Sequence, residues 1–179
     1  MEIHKQCITL YSNYFLYYFK YNYFKINENK SFINFKEKIV NNINSDKISI
    51  IAEIKKQSPT EGDIFPGADP GQIAADYERN GASVISVLTD SHFFGGQLEY
   101  IQQVKNVVNI PVLRKDFIIS EYQVWESFQS GADAILLIAD AIENELLIDL
   151  YHLALELGLH VLIETHSSEH LSWIKKLDP

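Results

Sequence analysis

Ile51-Ala-Glu-Ile-Lys-Lys-Gln-Ser-Pro-Thr60 reads as an apolar strand that ends in charge. Ile48, Ile50 and Ala52 alternate with Ser49, Ile51 and Glu53, and Lys55 and Lys56 follow just before a Ser-Pro break. Side chains two apart on a strand share a face, so Glu53 and Lys55 are expected to point the same way. An acid beside a base at the end of an apolar strand costs free energy to bury unless the two pair or are used. In parallel α/β proteins the working groups gather at the C-terminal ends of strands. The plain alternative is a surface ion pair, which contributes little to stability.

Outward from this stretch, the chain beyond Lys47 alternates strand and helix with little slack. The pattern predicts strands over Ile48–Ile54, Val84–Leu88, Pro111–Arg114, Ala134–Ile138 and His160–Glu164. It predicts helices over Pro70–Asn80, Leu98–Val107, Glu121–Ser130, Glu143–Leu157 and Ser168–Lys176, the last capped by Ser167 or Ser168. Asn80-Gly-Ala-Ser-Val84 recurs as Ser130-Gly-Ala-Asp-Ala134, in each case a helix stop, a glycine cap and a new strand. Short apolar strands separated by helices signal a parallel sheet. Five such units suit either a doubly wound sheet or part of a (β/α)8 barrel.

The charged residues separate those two folds. Leu113-Arg-Lys-Asp-Phe117 ends the third predicted strand and Val161-Leu-Ile-Glu164 is the end of the fifth. Glu53, Lys55, Lys115 and Glu164 therefore stand at the C-terminal ends of strands one, three and five. Alternate strands of a barrel feed the same interior layers, so these groups would converge. A flat sheet would spread them along its edge. No Gly-x-Gly-x-x-Gly follows the first strand, which removes the usual dinucleotide reading. The expected fold is an α/β TIM barrel, incomplete, with about five β/α units and an N-terminal helical extension.

Composition bounds the rest. The 179 residues suggest one domain with a real core. Residues 1–30 read as an aromatic and Asn-rich extension of unknown role, and residues 31–179 as the partial barrel. Ile8 to Phe24 is too polar and too short for a membrane span and lacks a secretory cleavage site, while an interfacial helix stays open. Phe32 to Ile43 resembles an amphipathic helix ahead of the core. A net charge of −9 argues against nucleic-acid binding. The single cysteine, Cys7, excludes an internal disulfide framework or cysteine metal cluster and fits the cytoplasm. The six histidines show no metal-ligand spacing, and His166 and His170 read as exposed helix residues. No metal, cofactor or membrane partner is expected.

Four segments, IIAEIKKQSPTEGD (50–63), LTDSHFFGG (88–96), VLRKDFIISEYQVWESFQSGADAILLIA (112–139) and VLIETH (161–166), closely resemble indole-3-glycerol phosphate synthase, the tryptophan-pathway barrel that closes the indole ring. The resemblance runs in order over residues 32–179. It implies a lyase that converts 1-(2-carboxyphenylamino)-1-deoxyribulose 5-phosphate to indole-3-glycerol phosphate, with loss of carbon dioxide and water and no cofactor. It implies Lys115 as the acid that polarises the ribulose carbonyl. Lys55 would hold the anthranilate carboxylate, Glu164 would serve the dehydration, and Glu53 would orient the lysines and the anilino nitrogen. Which glutamate is the base stays open, because coupled groups titrate as a set.

The resemblance also places Phe93 and Phe117 where the family packs the aromatic ring. Ser58 would shape the first loop and touch substrate, with a plain turn hydroxyl as the equal alternative. Gly95-Gly96 fits a mobile loop, and Leu136 or Leu137 an apolar wall, with core packing as the safer reading. Arg114 and Asp116 alternate away from Lys115 and are expected to be structural. A full barrel takes about 200 to 250 residues, and the last three units, with the turn that grips the substrate phosphate, have no counterpart in the sequence. A partner chain or a downstream segment is therefore expected to complete the barrel; the alternative is a noncatalytic remnant.

Overall fold

The computed structural model describes residues 32–177. The expectations placed on residues 1–30 lie outside them. In chain order the elements are α1 (Phe35–Asn44), β1 (Ile51–Ile54), β2 (Gln57–Ser58), β3 (Gly62–Asp63), α2 (Pro70–Arg79), β4 (Val84–Leu88), α3 (Ser91–Phe94), α4 (Glu99–Lys105), β5 (Val112–Lys115), α5 (Glu121–Ser130), β6 (Ala134–Ile138), α6 (Asn144–Glu156), β7 (His160–Glu164) and α7 (Ser168–Ile174). Helix starts follow the expected chemistry. Asn34 Oδ1 accepts from Glu37 N at 2.8 Å, Asp69 accepts from Gly71 N and Gln72 N with Pro70 behind it, and Ser167 accepts from Glu169 N. The repeated glycine caps are present too, with Gly81 at φ 95° and Gly131 at φ 86°.

Five strands form one parallel sheet in the order β1-β4-β5-β6-β7, and β2 pairs with β3 in a small antiparallel hairpin. Each strand of the large sheet lies beside the next one in the chain, hairpin aside. A doubly wound sheet reverses its order at a switch point; this sheet does not, as a barrel wall requires.

The register defines two faces. Glu53 pairs with Ser86, Ser86 with Leu113, Leu113 with Ala134 and Ala134 with His160, so these five share a face. The opposite face carries Ile54, Ile85, Val87 and Val112, which pack with Ala74 of α2 and Tyr100, Ile101 and Val104 of α4. That face is the outside of the wall under its helices. The first face is the interior: Val84, Leu113 and Ala134 are buried against Phe35 of α1, with Ile39 and Leu162 beside them. Helix α1 thus plugs the N-terminal end of the wall. Asp133, fully buried, fixes its approach by accepting from Ile33 N at 2.7 Å, Val112 N at 2.8 Å and Lys105 Nζ at 2.7 Å.

Two local expectations need correction, and the first loop holds an element that was not expected. The first strand begins at Ile51 rather than Ile48, and Ile48 and Ile50 are 86% and 51% exposed. Ile50 O still accepts from Ser83 N and Val84 N, but among the described residues β1 pairs only with β4, and no described strand covers its other side. The loop after β1 contains the β2–β3 hairpin, because Glu61 N donates to Ser58 Oγ and closes a tight turn. The segment read as one helix over Leu98–Val107 is the shorter α4, preceded by α3, whose first turn Asp90 caps at Phe93 N. No helix among the described residues is long and apolar enough to cross a membrane.

Candidate active site

Strand alternation carries the charged end of β1 to two places. Glu53 and Lys55 face the interior; Ile54 and Lys56 face the helices. Lys56 Nζ lies 4.3 Å over the Tyr100 ring and 3.0 Å from its hydroxyl, on the outer side. Lys55 Nζ is 3.5 Å from Glu53 Oε1. Lys115, last in β5 and in line with Leu113, brings its Nζ to 3.5 Å from Glu53 Oε2. One carboxylate thus stands between two ammonium groups at the C-terminal rim of the wall. All three side chains are about one-third exposed, at 32%, 32% and 38%. Ion pairs this exposed are worth under about 1 kcal/mol, so stability does not account for the cluster.

The alternate residues of the same motif behave differently. Arg114 is 3% exposed and faces outward. Its Nη2 meets Asp116 at 2.9 Å and Glu126 at 2.8 Å, Nε donates to Thr89 Oγ1 at 3.0 Å, and Nη1 donates to Gln123 O and Ser127 Oγ. Asp116 Oδ1 accepts from Phe117 N at 2.8 Å. Arg114 and Asp116 are structural, and they tie the turn after Lys115 to α5.

Glu164, last in β7 and paired with Ile138, occupies the same rim. Its Oε1 lies 3.4 Å from His166 Nε2. Glu53, Lys55 and Lys115 thus come together as expected, while Glu164 stands at its own strand end beside His166. His166 is exposed as expected, but it precedes α7, and His170 is half-buried. His170 Nδ1 lies 3.2 Å from Thr165 Oγ1 and 3.5 Å from Asp140. The His166 backbone N–H, donating to Asp140 at 2.7 Å, holds that carboxyl below the usual carboxylate range.

Aromatic rings stand over the same rim. Phe93 and Phe117 are half-exposed with ring centroids 6.5 Å apart at 77°, an edge-to-face pair, and Phe94 joins at 6.4 Å from Phe117. Phe94 was not singled out from sequence, although its place beside Phe93 in the same motif was a usable signal. Ser58 is buried, and its hydroxyl serves the hairpin turn, accepting from Glu61 N at 3.1 Å and lying 3.4 Å from Thr60 Oγ1. Leu136 faces the interior by its pairing with Leu162, and Leu137 faces the helices; both are buried. Gly95 and Gly96 serve a tight turn: Gly95 ends α3 in the left-handed region, and a Cβ on Gly96 would fall 2.3 Å from Leu88 O. No group of three or more His, Cys, Asp or Glu among the described residues could hold a metal.

Chemically, two ammonium groups around a carboxylate can hold an anionic substrate and deliver a proton to a carbonyl oxygen, with aromatic surface to receive a flat ring.

The chain matches the family model described as "Indole-3-glycerol phosphate synthase" over residues 15–179. It is 54% identical over 127 residues to the indole-3-glycerol phosphate synthase of Geobacillus kaustophilus (strain HTA426), covering 71% of this chain and 49% of that protein. The protein of the same name from Aliarcobacter butzleri (strain RM4018) is 50% identical over 125 residues, covering 70% and 48%. That of Bacillus pumilus (strain SAFR-032) is 48% identical over 144 residues, covering 80% and 57%. The chain spans about half the length of the curated relatives it matches.

Proposed function

The chain belongs to the indole-3-glycerol phosphate synthase family, and on that premise we propose that it supplies the first five β/α units of a cytoplasmic tryptophan-pathway carboxy-lyase. The reaction is ring closure of 1-(2-carboxyphenylamino)-1-deoxyribulose 5-phosphate, with loss of carbon dioxide and water. The single observation that supports this best is Glu53 between the ammonium groups of Lys55 and Lys115, on the inner face of the wall at its C-terminal rim. Lys115 protonates the ribulose carbonyl oxygen as the aromatic carbon attacks. Lys55 holds the anthranilate carboxylate, so that carbon dioxide leaves from an oriented ring. Glu53 holds both lysines in place and orients the anilino nitrogen. Glu164 takes a proton during the dehydration. Phe93 and Phe117 flank the aromatic ring, and Ser58 shapes the loop over it. The reaction needs no cofactor.

The edges of the wall favour a second element of this reading, a completing segment. Among the described residues β1 pairs only with β4 and β7 only with β6. Beside β7 lies a cavity of about 390 Å³, with Phe35, Ile39, Leu155, Leu162 and Ile174 in its lining. Three further β/α units, in the same chain or a second one, would cover both edges and bring the phosphate grip.

The test assays the chain by itself and together with a separate segment carrying the last three units of the Geobacillus kaustophilus relative. Indole-3-glycerol phosphate formation in the mixture, at most trace formation in the chain alone, and none with Lys115→Ala is the expected result. No product from the mixture, with both parts folded, would overturn the assignment.

A further inference from the structure

The interior face holds a buried hydroxyl that the reading above does not use. Ser86 is third in β4, 2% exposed, and no atom of the described residues partners its hydroxyl. A buried hydroxyl without a partner has lost its water and gained nothing in exchange, so each one calls for an explanation. Its neighbours in the strand, Ile85 and Val87, face the helices and are fully buried there. Ser86 faces the interior in register with Glu53 on one side and Leu113 on the other.

Register partners on adjacent strands lie about 5 Å apart and project side by side. The Ser86 hydroxyl is thus directed into the interior below the Glu53 carboxylate, one residue row beneath Lys115. Glu53 has acceptor capacity to spare. Each of its oxygens has one ammonium partner, at 3.5 Å, longer than a tight charge-assisted hydrogen bond of about 2.7–2.9 Å. The two do not touch in this structure, and an unspent donor beside an under-used acceptor on one face, a strand apart, is an arrangement that a bridging water completes.

We propose that Ser86 is a positioning residue of the site: its hydroxyl donates to the Glu53 carboxylate, directly or through one buried water, and holds that carboxylate between Lys55 and Lys115. The hydroxyl anchors Glu53 from below, which leaves the two lysines free to turn toward substrate without the carboxylate following either one. An alanine at position 86 would pack as well in the strand yet leave Glu53 free to swing. The proposal rests on the functional reading above only for its kinetic consequence.

Two measurements test it. A crystal structure of the full chain fine enough to place waters is expected to show Ser86 Oγ within 3.2 Å of Glu53, or of a water that also contacts Glu53. A Ser86 hydroxyl donating to a strand carbonyl, with no water between it and Glu53, overturns the proposal, whatever the enzyme's reaction proves to be. In the active mixture, Ser86→Ala is expected to lower kcat about tenfold at unchanged KM, with Ser86→Thr restoring most of it. Unchanged kcat in Ser86→Ala, or a loss that Ser86→Thr shares at an unaltered melting temperature, overturns it as well. Failure of the parent mixture to form product would count against the proposed function, and the crystal structure would still decide the Ser86–Glu53 link.

Discussion

Glu53 on β1 and Lys115 on β5 meet at 3.5 Å across the end of the intervening β4. No local rule joins them; the parallel stacking of three strands does. Because the pair is one-third exposed, its removal should cost little folding energy and much chemistry. Lys115→Ala is predicted to lower ring closure by about 10²- to 10⁴-fold, the usual worth of a positioned acid. Its melting temperature should stay close to the parent's. Product fluorescence and a thermal melt check the two halves, and near-normal turnover would remove Lys115 from its assigned role.

Arg114 predicts the reverse. It is buried, joins Asp116 and Glu126, and donates to Thr89, Gln123 and Ser127. Arg114→Met leaves two carboxylates beside an apolar side chain, and breaking such a buried pair typically costs about 3–5 kcal/mol. Arg114→Lys keeps the charge but loses the fork that reaches five partners, so an intermediate loss is expected. Urea unfolding of the two variants orders them. A Met variant as stable as the parent would show that the network contributes nothing net.

The sequence made this division legible before any contact was known. Arg-Lys-Asp-Phe on one strand must send Lys115 one way and Arg114 the other, and period two alone assigns them to site and wall. The five-unit rhythm and the glycine caps were legible for the same reason, since they are local. What sequence could not supply was register. Ser86 looked like any small residue in an apolar strand, and only its pairing with Glu53 gives it a role to test. The α1 plug, with Phe35 against Val84 and Leu113, was equally hidden, because nothing local links residue 35 to residue 113. Ile48 misled in the opposite direction: alternation promised burial, but burial depends on a neighbouring strand.

Phe93 and Phe117 are half-exposed and meet edge to face at 6.5 Å. Rings that remain exposed stabilise the fold weakly, and their apolar surface is available to a flat ligand. Phe117→Ala is predicted to weaken binding of an anthranilate-bearing ligand by about 0.5–1.5 kcal/mol, roughly two- to thirteenfold, with a small change in melting temperature. Phe93→Ala should act in the same direction. Calorimetric titration against the parent checks this. A variant that loses stability and retains affinity would make the rings core packing instead.

His160 predicts how the N-terminal end of the wall responds to acid. Burial pushes its imidazole below the ordinary value of 6.5; Asp133 pulls it partly back up and Lys36 lowers it further. The unfolded chain therefore binds the proton more readily than the folded one. Between the lowered folded value and 6.5 the unfolded state carries more protons, so stability rises with pH across that window. The contribution of His160 is complete above 6.5 and is lost as pH falls through the folded value. His160→Leu removes this slope. Melting temperatures taken from about pH 7.5 down to about pH 5, above the main carboxylate range, should fall for the parent and fall less for the variant. Parallel curves would show that the imidazole crosses that range equally charged in both states, and that burial in the bottom layer imposes no penalty on its protonation.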